Sequence, residues 1–196
     1  MSSKQEVLKC SVTNFTKFGS KRFTMDELAS ELGISKKTIY KYFNSKEDLV
    51  VESVIFLINN FKDDINTIIA SQNEPIISVI LIYKKGFEYL KHFKPSFIFG
   101  LKKYYPKANT IFDDFRDSFV NTTVYNLLYE AKKSGIIKPE VNLNLFCNLY
   151  FKRFEEIAFK NNNLFETYSN QELLNHLIVY NLKGITVANY KNNYFE

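Results

Sequence analysis

The residues with the chemistry to catalyse or to bind metal are few and scattered. His92 and His176 stand alone, and Cys10 and Cys147 lack CxxC spacing. The acid pairs Asp113-Asp114 and Glu155-Glu156 are adjacent, so on a helix they point apart and make poor acid/base partners. No HExxH, GxGxxG or GxSxG occurs. An enzyme is therefore not expected, and no catalytic residue, metal site or cofactor is assigned. One segment differs. Within residues 35–46 stand Lys36, Lys37, Lys41 and Lys46, with no acid and with Thr38, Tyr40 and Tyr42 between them. Ammonium groups interleaved with hydroxyls are the donors that meet phosphate oxygens and base edges. A run of one sign is more often a solvated face, so the elements beneath it must decide.

Residues 24–50, TMDELASELGISKKTIYKYFNSKEDLV, predict three short-range helix signals in succession. Thr24-x-x-Glu27 is a capping box, opening a helix through Glu31 with Leu28 and Leu32 inward. Ala29 is small where a second helix crosses closely. Gly33 supplies the positive φ of a tight inter-helix turn, and Ile34 plugs the angle. Ser35 caps a second helix over 35–42. That helix buries Ile39 and turns Lys36, Lys37, Thr38 and Lys41 outward, with Tyr40 and Tyr42; one of these tyrosines could instead pack on the first helix. Ser45 caps a third helix, with Glu47 and Asp48 in its acid-favouring first turn. The spacing is that of a helix-turn-helix. A mere helical corner would show the same glycine and alanine, but its outer face would tolerate any mixture of charges. Here every charge is positive.

The rest of the chain predicts helices only. Six glycines and four prolines in 196 residues are too few for a hairpin-rich β protein, and the prolines fall between periodic segments. Helical spacing runs over residues 75–90 (Ile76, Val79, Ile80, Tyr83, Phe87, Leu90) and about 107–133 (Phe112, Phe115, Phe119, Thr122, Leu127, Ala131). It recurs over 142–160 (Phe146, Leu149, Tyr150, Phe154, Ile157, Ala158) and 170–190 (Leu173, Leu174, Leu177, Ile178, Leu182, Ile185). Gly135 follows Lys132-Lys133, a glycine stop after cations in the last turn. The class is all-α. Hydrophobic residues make up 45%, and at this length folding buries about 70% of the unfolded surface, so no disulfide staples are needed. MSSKQEVLKC has no apolar signal run, and no stretch nears about 20 apolar residues. A soluble, cytoplasmic protein without a membrane partner is expected. Residues 1–50 carry nine Lys/Arg against six Asp/Glu, whereas the other 146 carry 17 against 15; the basic excess gathers at the head.

Residues 7–50 resemble the N-terminal domain of TetR-family (tetracycline-repressor-like) bacterial transcriptional regulators. Phe15-Thr-Lys-Phe-Gly19 ends a first helix, Thr24 follows five residues later, and Gly33-Ile-Ser-Lys-Lys-Thr-Ile-Tyr-Lys-Tyr-Phe43-Asn-Ser-Lys46-Glu-Asp-Leu49 matches the recognition helix and the start of the fourth. Asn14 and Ser11 depart from the family's usual apolar residue and alanine. The resemblance implies an Ω-shaped homodimer of about nine helices per chain. A three-helix DNA-binding domain (residues 1–48) would precede a helical effector-binding and dimerisation domain (49–196). The family's last two long helices usually pair across the dyad; here they would be about 142–160 and 170–190.

On this reading the DNA-binding residues are Thr24, Ser35, Lys36, Lys37, Thr38, Tyr40, Lys41, Tyr42 and Lys46. Lys46, beside the N-terminus of the fourth helix, is the phosphate clamp. Lys36, Lys37 and Thr38 are the candidate base readers, lysine preferring guanine O6/N7 in the major groove. Tyr40 reaches the backbone or a thymine methyl, Tyr42 a phosphate, and Lys41 steers or touches the backbone. Thr24 caps and offers its backbone to phosphate, while Ser35 is occupied as a cap. Fifteen of the nineteen phenylalanines lie beyond residue 50, which suits a small apolar or aromatic effector, although such residues also simply fill a core. The function the resemblance implies is a ligand-responsive regulator, a repressor as most of that family are, binding a palindromic double-stranded DNA operator as a homodimer. The alternative is an apolar-ligand or protein-interaction module whose helix-turn-helix has lost DNA binding.

Overall fold

A computed structural model describes residues 3–151 and 163–195. The first five helices begin where a side chain satisfies free N–H groups. Helix α1 (Lys4–Phe18) starts on a Ser3/Glu6 capping box and stops at Gly19, whose φ is +87°. Helix α2 (Met25–Glu31) starts on the Thr24/Glu27 box, and α3 (Lys36–Tyr40) on Ser35. Helix α4 (Lys46–Ser71) starts where Ser45 Oγ accepts the Asp48 N–H at 3.0 Å. Pro75 occupies the first turn of α5 (Pro75–Leu90), where its missing N–H costs nothing. Helix α6 (Pro95–Tyr104) and α7 (Pro106–Ser118) begin on prolines as well.

From α7 the chain runs through a widened π turn (Phe119–Val124) into α8 (Tyr125–Lys133), and Gly135 then turns it with φ +73°. Helix α9 (Leu143–Tyr150) follows, then the single turn α10 (Leu164–Thr167). Last come α11 (Asn170–Leu174), a second π turn (Asn175–Val179) and α12 (Tyr180–Ile185). Among the described residues there is no strand, only one isolated antiparallel bridge between Ile137 and Thr186. The all-α class stands.

Contacts group these residues into two compact units. One comprises 1–61 with 92–114, the other 62–91 with 115–196. In the first, α1 to α3 close over Phe15, Leu28, Ile39, Phe43 and Leu49, and α6 adds Phe97 and Leu101; all are at most 2% exposed. Two glycines permit the close approach of α6 to the end of α1. A Cβ at Gly19 would stand 3.2 Å from the Ser96 carbonyl oxygen, and one at Gly100 would stand 3.2 Å from Ser20 Oγ. The Lys94 N–H donates to the Thr16 carbonyl at 2.9 Å, and the Tyr105 hydroxyl donates to the Ser20 carbonyl at 3.4 Å. Of the two family departures, Asn14 is buried and donates its amide to the Cys10 carbonyl at 3.0 Å. Ser11 is fully buried, and its hydroxyl has no hydrogen-bond partner among the described residues.

The second unit is built around α5, α8 and the terminal helices. Ile76, Val79, Ile80, Tyr83 and Phe87 of α5 are buried as their spacing predicts. Elsewhere the expected stripes hold in part, with Phe112 and Ala131 buried in one and Leu173, Leu174, Ile178 and Leu182 in the other. The long helix buries Val120, Val124, Leu128 and Ala131, and exposes Thr122. The terminal helix buries Val179 beside Ile178, leaving Leu177 only half-buried. A π turn holds an extra residue and shifts which side chains face inward. Residues 186–190 are not helical as expected. Ile185 O and Val187 N bond to Lys138 N and Ile136 O, both at 3.0 Å, so the chain pairs with the 136–138 segment instead. Of the stripe expected over 142–160, Phe146 is buried while Leu149 and Tyr150 are exposed. Phe154, Ile157 and Ala158 lie outside the described residues.

Candidate nucleic-acid interface

The α2–α3 corner is assembled by backbone bonds that its sequence allows. The Ile34 N–H donates to the Ala29 carbonyl at 3.0 Å, and the Gly33 N–H donates to Ser30 at 3.1 Å. Gly33 takes φ +63°, with no atom within 4 Å of where a Cβ would stand. Its requirement is conformational alone. Ala29 and Ile39 are buried, Ile39 completely. Helix α3 is shorter than the expected 35–42. After Tyr40 the Lys41 and Tyr42 N–H groups bond back three residues, to Thr38 (3.3 Å) and Ile39 (2.9 Å). Such tightening is common where a helix ends, and it delivers Phe43 to the core at 1% exposure.

The outer face is polar and open. Lys36, Lys37, Tyr40, Lys41 and Tyr42 are exposed, and Thr38 is half-buried. Tyr40 and Tyr42 keep 44% and 36% of their surface, so neither is packed away under α1. Ser35 is committed as a cap: its Oγ accepts the Thr38 N–H at 3.1 Å and lies 2.9 Å from the Thr38 hydroxyl. Thr24 is committed too. Its hydroxyl accepts the Glu27 N–H (3.2 Å) and donates to Glu27 Oε2 (2.8 Å), and its own N–H donates to Oε2 at 2.6 Å. The Thr24 N–H and hydroxyl hold the Glu27 carboxyl below the usual range, helped by the charges of Lys46 and Arg22.

Two lysines have partners that run-counting missed. Lys36 Nζ sits 2.9 Å from Asp26 Oδ2 on α2, and that hydrogen bond raises its pKa. Asp26 lies ten residues earlier, outside the acid-free run. Lys46, half-buried, donates to the Lys21 carbonyl at 3.1 Å. Burial lowers its pKa and the Lys21 charge adds to this, with Glu27 opposing. One of its three N–H donors is thereby spent on positioning the ammonium. Lys37 and Lys41 make no ion pair among the described residues.

The corner thus presents a short cationic helix over a buried β-branched anchor, with a held ammonium at the start of the next helix. The model of "Bacterial regulatory proteins, tetR family" matches residues 7–52. Over those residues the chain carries the DNA-binding domain of the TetR family. A relative named as the HTH-type transcriptional regulator YvaF of Bacillus subtilis (strain 168) is 28% identical over 169 residues, 84% of this chain and 86% of its own. YhgD of the same organism, also named an HTH-type transcriptional regulator, is 37% identical over 59 residues, 30% of this chain and 31% of its own. The TetR fold extends through the body. FadR from Bacillus subtilis, solved in complex with stearoyl-CoA, gives a TM-score of 0.74 at 18% identity, covering 93% of this chain and 100% of that one. The ketosteroid regulator KstR2 of Mycobacterium tuberculosis gives 0.68 at 16%, covering 95% and 97%. With that domain at its head and relatives named as HTH-type transcriptional regulators, the chain is a DNA-binding transcriptional regulator. No helix among its described residues is long and apolar enough to cross a membrane.

Proposed function

We propose that the protein is a cytoplasmic, effector-responsive repressor that binds a palindromic DNA operator as a homodimer and has no enzymatic activity. Residues 1–48 supply the DNA-binding segment, and residues 49–196 the effector-binding and dimerisation segment. The observation that carries the reading is the α3 surface: Lys36, Lys37, Tyr40 and Lys41 exposed around a completely buried Ile39. A helix so anchored presents its donors to a major groove, where ammonium and hydroxyl groups meet base edges and phosphates. Lys37 and Thr38 read bases, joined by Lys36 once it leaves Asp26. Lys41, Tyr40 and Tyr42 touch the backbone. Lys46 holds a phosphate with the donors left after its bond to Lys21, and Thr24 and Ser35 act through their helix starts.

For the dimer, support comes from α9. Leu145 and Leu149 are 56% and 57% exposed and Tyr150 43%, an apolar face that a second copy would cover. In the second unit, Tyr83 stacks on Phe151 at 4.9 Å and Phe87 meets Phe165 edge-on at 5.6 Å. These rings are packed core, so an apolar effector would lodge by parting them, and the FadR neighbour was solved with stearoyl-CoA, whose acyl chain is apolar. An effector that binds one dimer state better shifts the population toward it. The shifted state would no longer set two recognition helices into successive major grooves, about 34–36 Å apart. Selection of bound sites from a random duplex pool tests the reading. A palindromic consensus, released on adding a long-chain acyl-CoA or another apolar ligand, is the expected result. Recovery of no preferred sequence would overturn it.

A further inference from the structure

Three acid-free basic runs lie in the unit that holds the helix-turn-helix, and only one of them is the recognition segment. Residues 7–25 carry Lys9, Lys17, Lys21 and Arg22 without an acid, and residues 92–112 carry Lys94, Lys102, Lys103 and Lys107 without an acid. The fold brings these two distant runs together at one ring. Tyr104, in the last turn of α6, is 40% exposed, with Lys21 Nζ 4.8 Å and Lys103 Nζ 5.3 Å from its centroid. Lys103 also lies 5.4 Å from the exposed Phe99 ring. Neither ammonium has an ion-pair partner among the described residues. The nearby Glu27 is occupied by Thr24.

We propose that Lys21 and Lys103, gathered over Tyr104, form a second DNA-backbone edge that grips phosphates beyond those reached from α3 and α4. The proposal rests on the DNA-binding reading of the head and extends its footprint to α6. Position argues for it: the Lys21 carbonyl accepts from Lys46 Nζ, so the edge adjoins the proposed phosphate clamp. Rigidity argues for it as well. Helix α6 is fixed to the end of α1 by the Lys94–Thr16 and Tyr105–Ser20 bonds and by the contact Gly19 makes possible with Ser96. Two ammonium groups within reach of one ring concentrate positive charge at this edge, which the ring's negative face offsets only in part. Anions brought to the edge meet both charges. A duplex, with one phosphate charge per about 1.7 Å of axis, supplies such anions in a row.

The test is fluorescence anisotropy of the full chain on the duplex it enriches from a random pool, across a salt series. Each lost phosphate contact reduces the slope of log K against log salt by about 0.9. Lys103→Gln and Lys21→Gln are each expected to lose that amount, and their combination about twice it, with base preference unchanged. Lys103→Arg keeps the wild-type slope. Lys191→Gln, which removes one exposed charge from the other unit, leaves it unchanged and excludes a net-charge effect. If the Lys21/Lys103 double variant keeps the wild-type slope while Lys46→Ala lowers it, the edge does not touch DNA and the head reading survives. If the wild-type chain shows no salt-dependent binding, both fall together.

Discussion

Lys36 Nζ and Asp26 Oδ2 are 2.9 Å apart, so the first lysine of α3 is held by α2 in the free protein. Asp26 therefore competes with DNA for a candidate base reader and places a carboxylate beside an interface meant for phosphates. Exposed pairs of this kind add little to stability, so the effect belongs to binding. Asp26→Asn is expected to tighten DNA binding, most at low salt where charges are least screened. Anisotropy at two salt concentrations checks this; binding that is unchanged or weaker would contradict it.

Lys46 is pulled below the ordinary lysine range by burial and by Lys21. A bound phosphate favours the charged form and raises that pKa again, so binding takes up a proton between the depressed value and the DNA-bound one. Affinity should fall as pH rises through this alkaline window, with Lys46→Arg, always charged, losing that component. For folding the sign is opposite to that of a paired lysine. The unfolded chain binds the proton more tightly, so this group's contribution to stability rises with pH through the window below 10.5. Lys46→Ala should weaken all sequences alike, whereas Lys37→Ala should relax preference at one base pair, at a cost of roughly 1–3 kcal/mol there.

Gly33 and Gly19 separate two reasons for needing glycine. At Gly33 the φ of +63° is the whole requirement, and Gly33→Ala should destabilise by about 1–2 kcal/mol, the usual left-handed penalty. At Gly19 the φ of +87° comes with Ser96 backbone 3.2 Å from the missing Cβ. Gly19→Ala should cost more than Gly33→Ala. Urea midpoints rank the two, and equal shifts would show that α6 yields to the added methyl.

Leu149, on the open face of α9, is expected to lie in the dimer contact. Leu149→Asp should shift the chain toward monomer in sedimentation velocity and weaken operator binding. It should leave the helical signal in circular dichroism intact. An undisturbed dimer would move the contact away from α9.

The head was legible because its determinants are local: Thr24 sees Glu27, Gly33 follows α2, and Ser35 caps α3 within three residues. Partnerships across greater separations were hidden. Asp26 and Lys36 are ten residues apart, and Tyr104 meets Lys21 from α6, a stretch between Pro95 and Pro106 that no periodic stripe marked as a helix. In the body, periodicity located α5 and its buried face, because α5 is regular throughout. In the terminal helix it found Leu173, Leu174, Ile178 and Leu182 but missed Val179, which a widened turn buries while leaving Leu177 half-buried; a fixed helical period cannot signal the extra residue. The last five residues of the expected 170–190 helix left it for a backbone partner at 136–138, a long-range choice with no local mark.

The unit that carries the helix-turn-helix draws on residues 1–61 and again on 92–114. Its hydrophobic interior is completed by Phe97 and Leu101, encoded 36 and 40 codons after that first stretch ends. During synthesis the nascent DNA reader must therefore wait for the ribosome to release α6 before it can close, and a fragment cut after α4 would lack one wall of its own core.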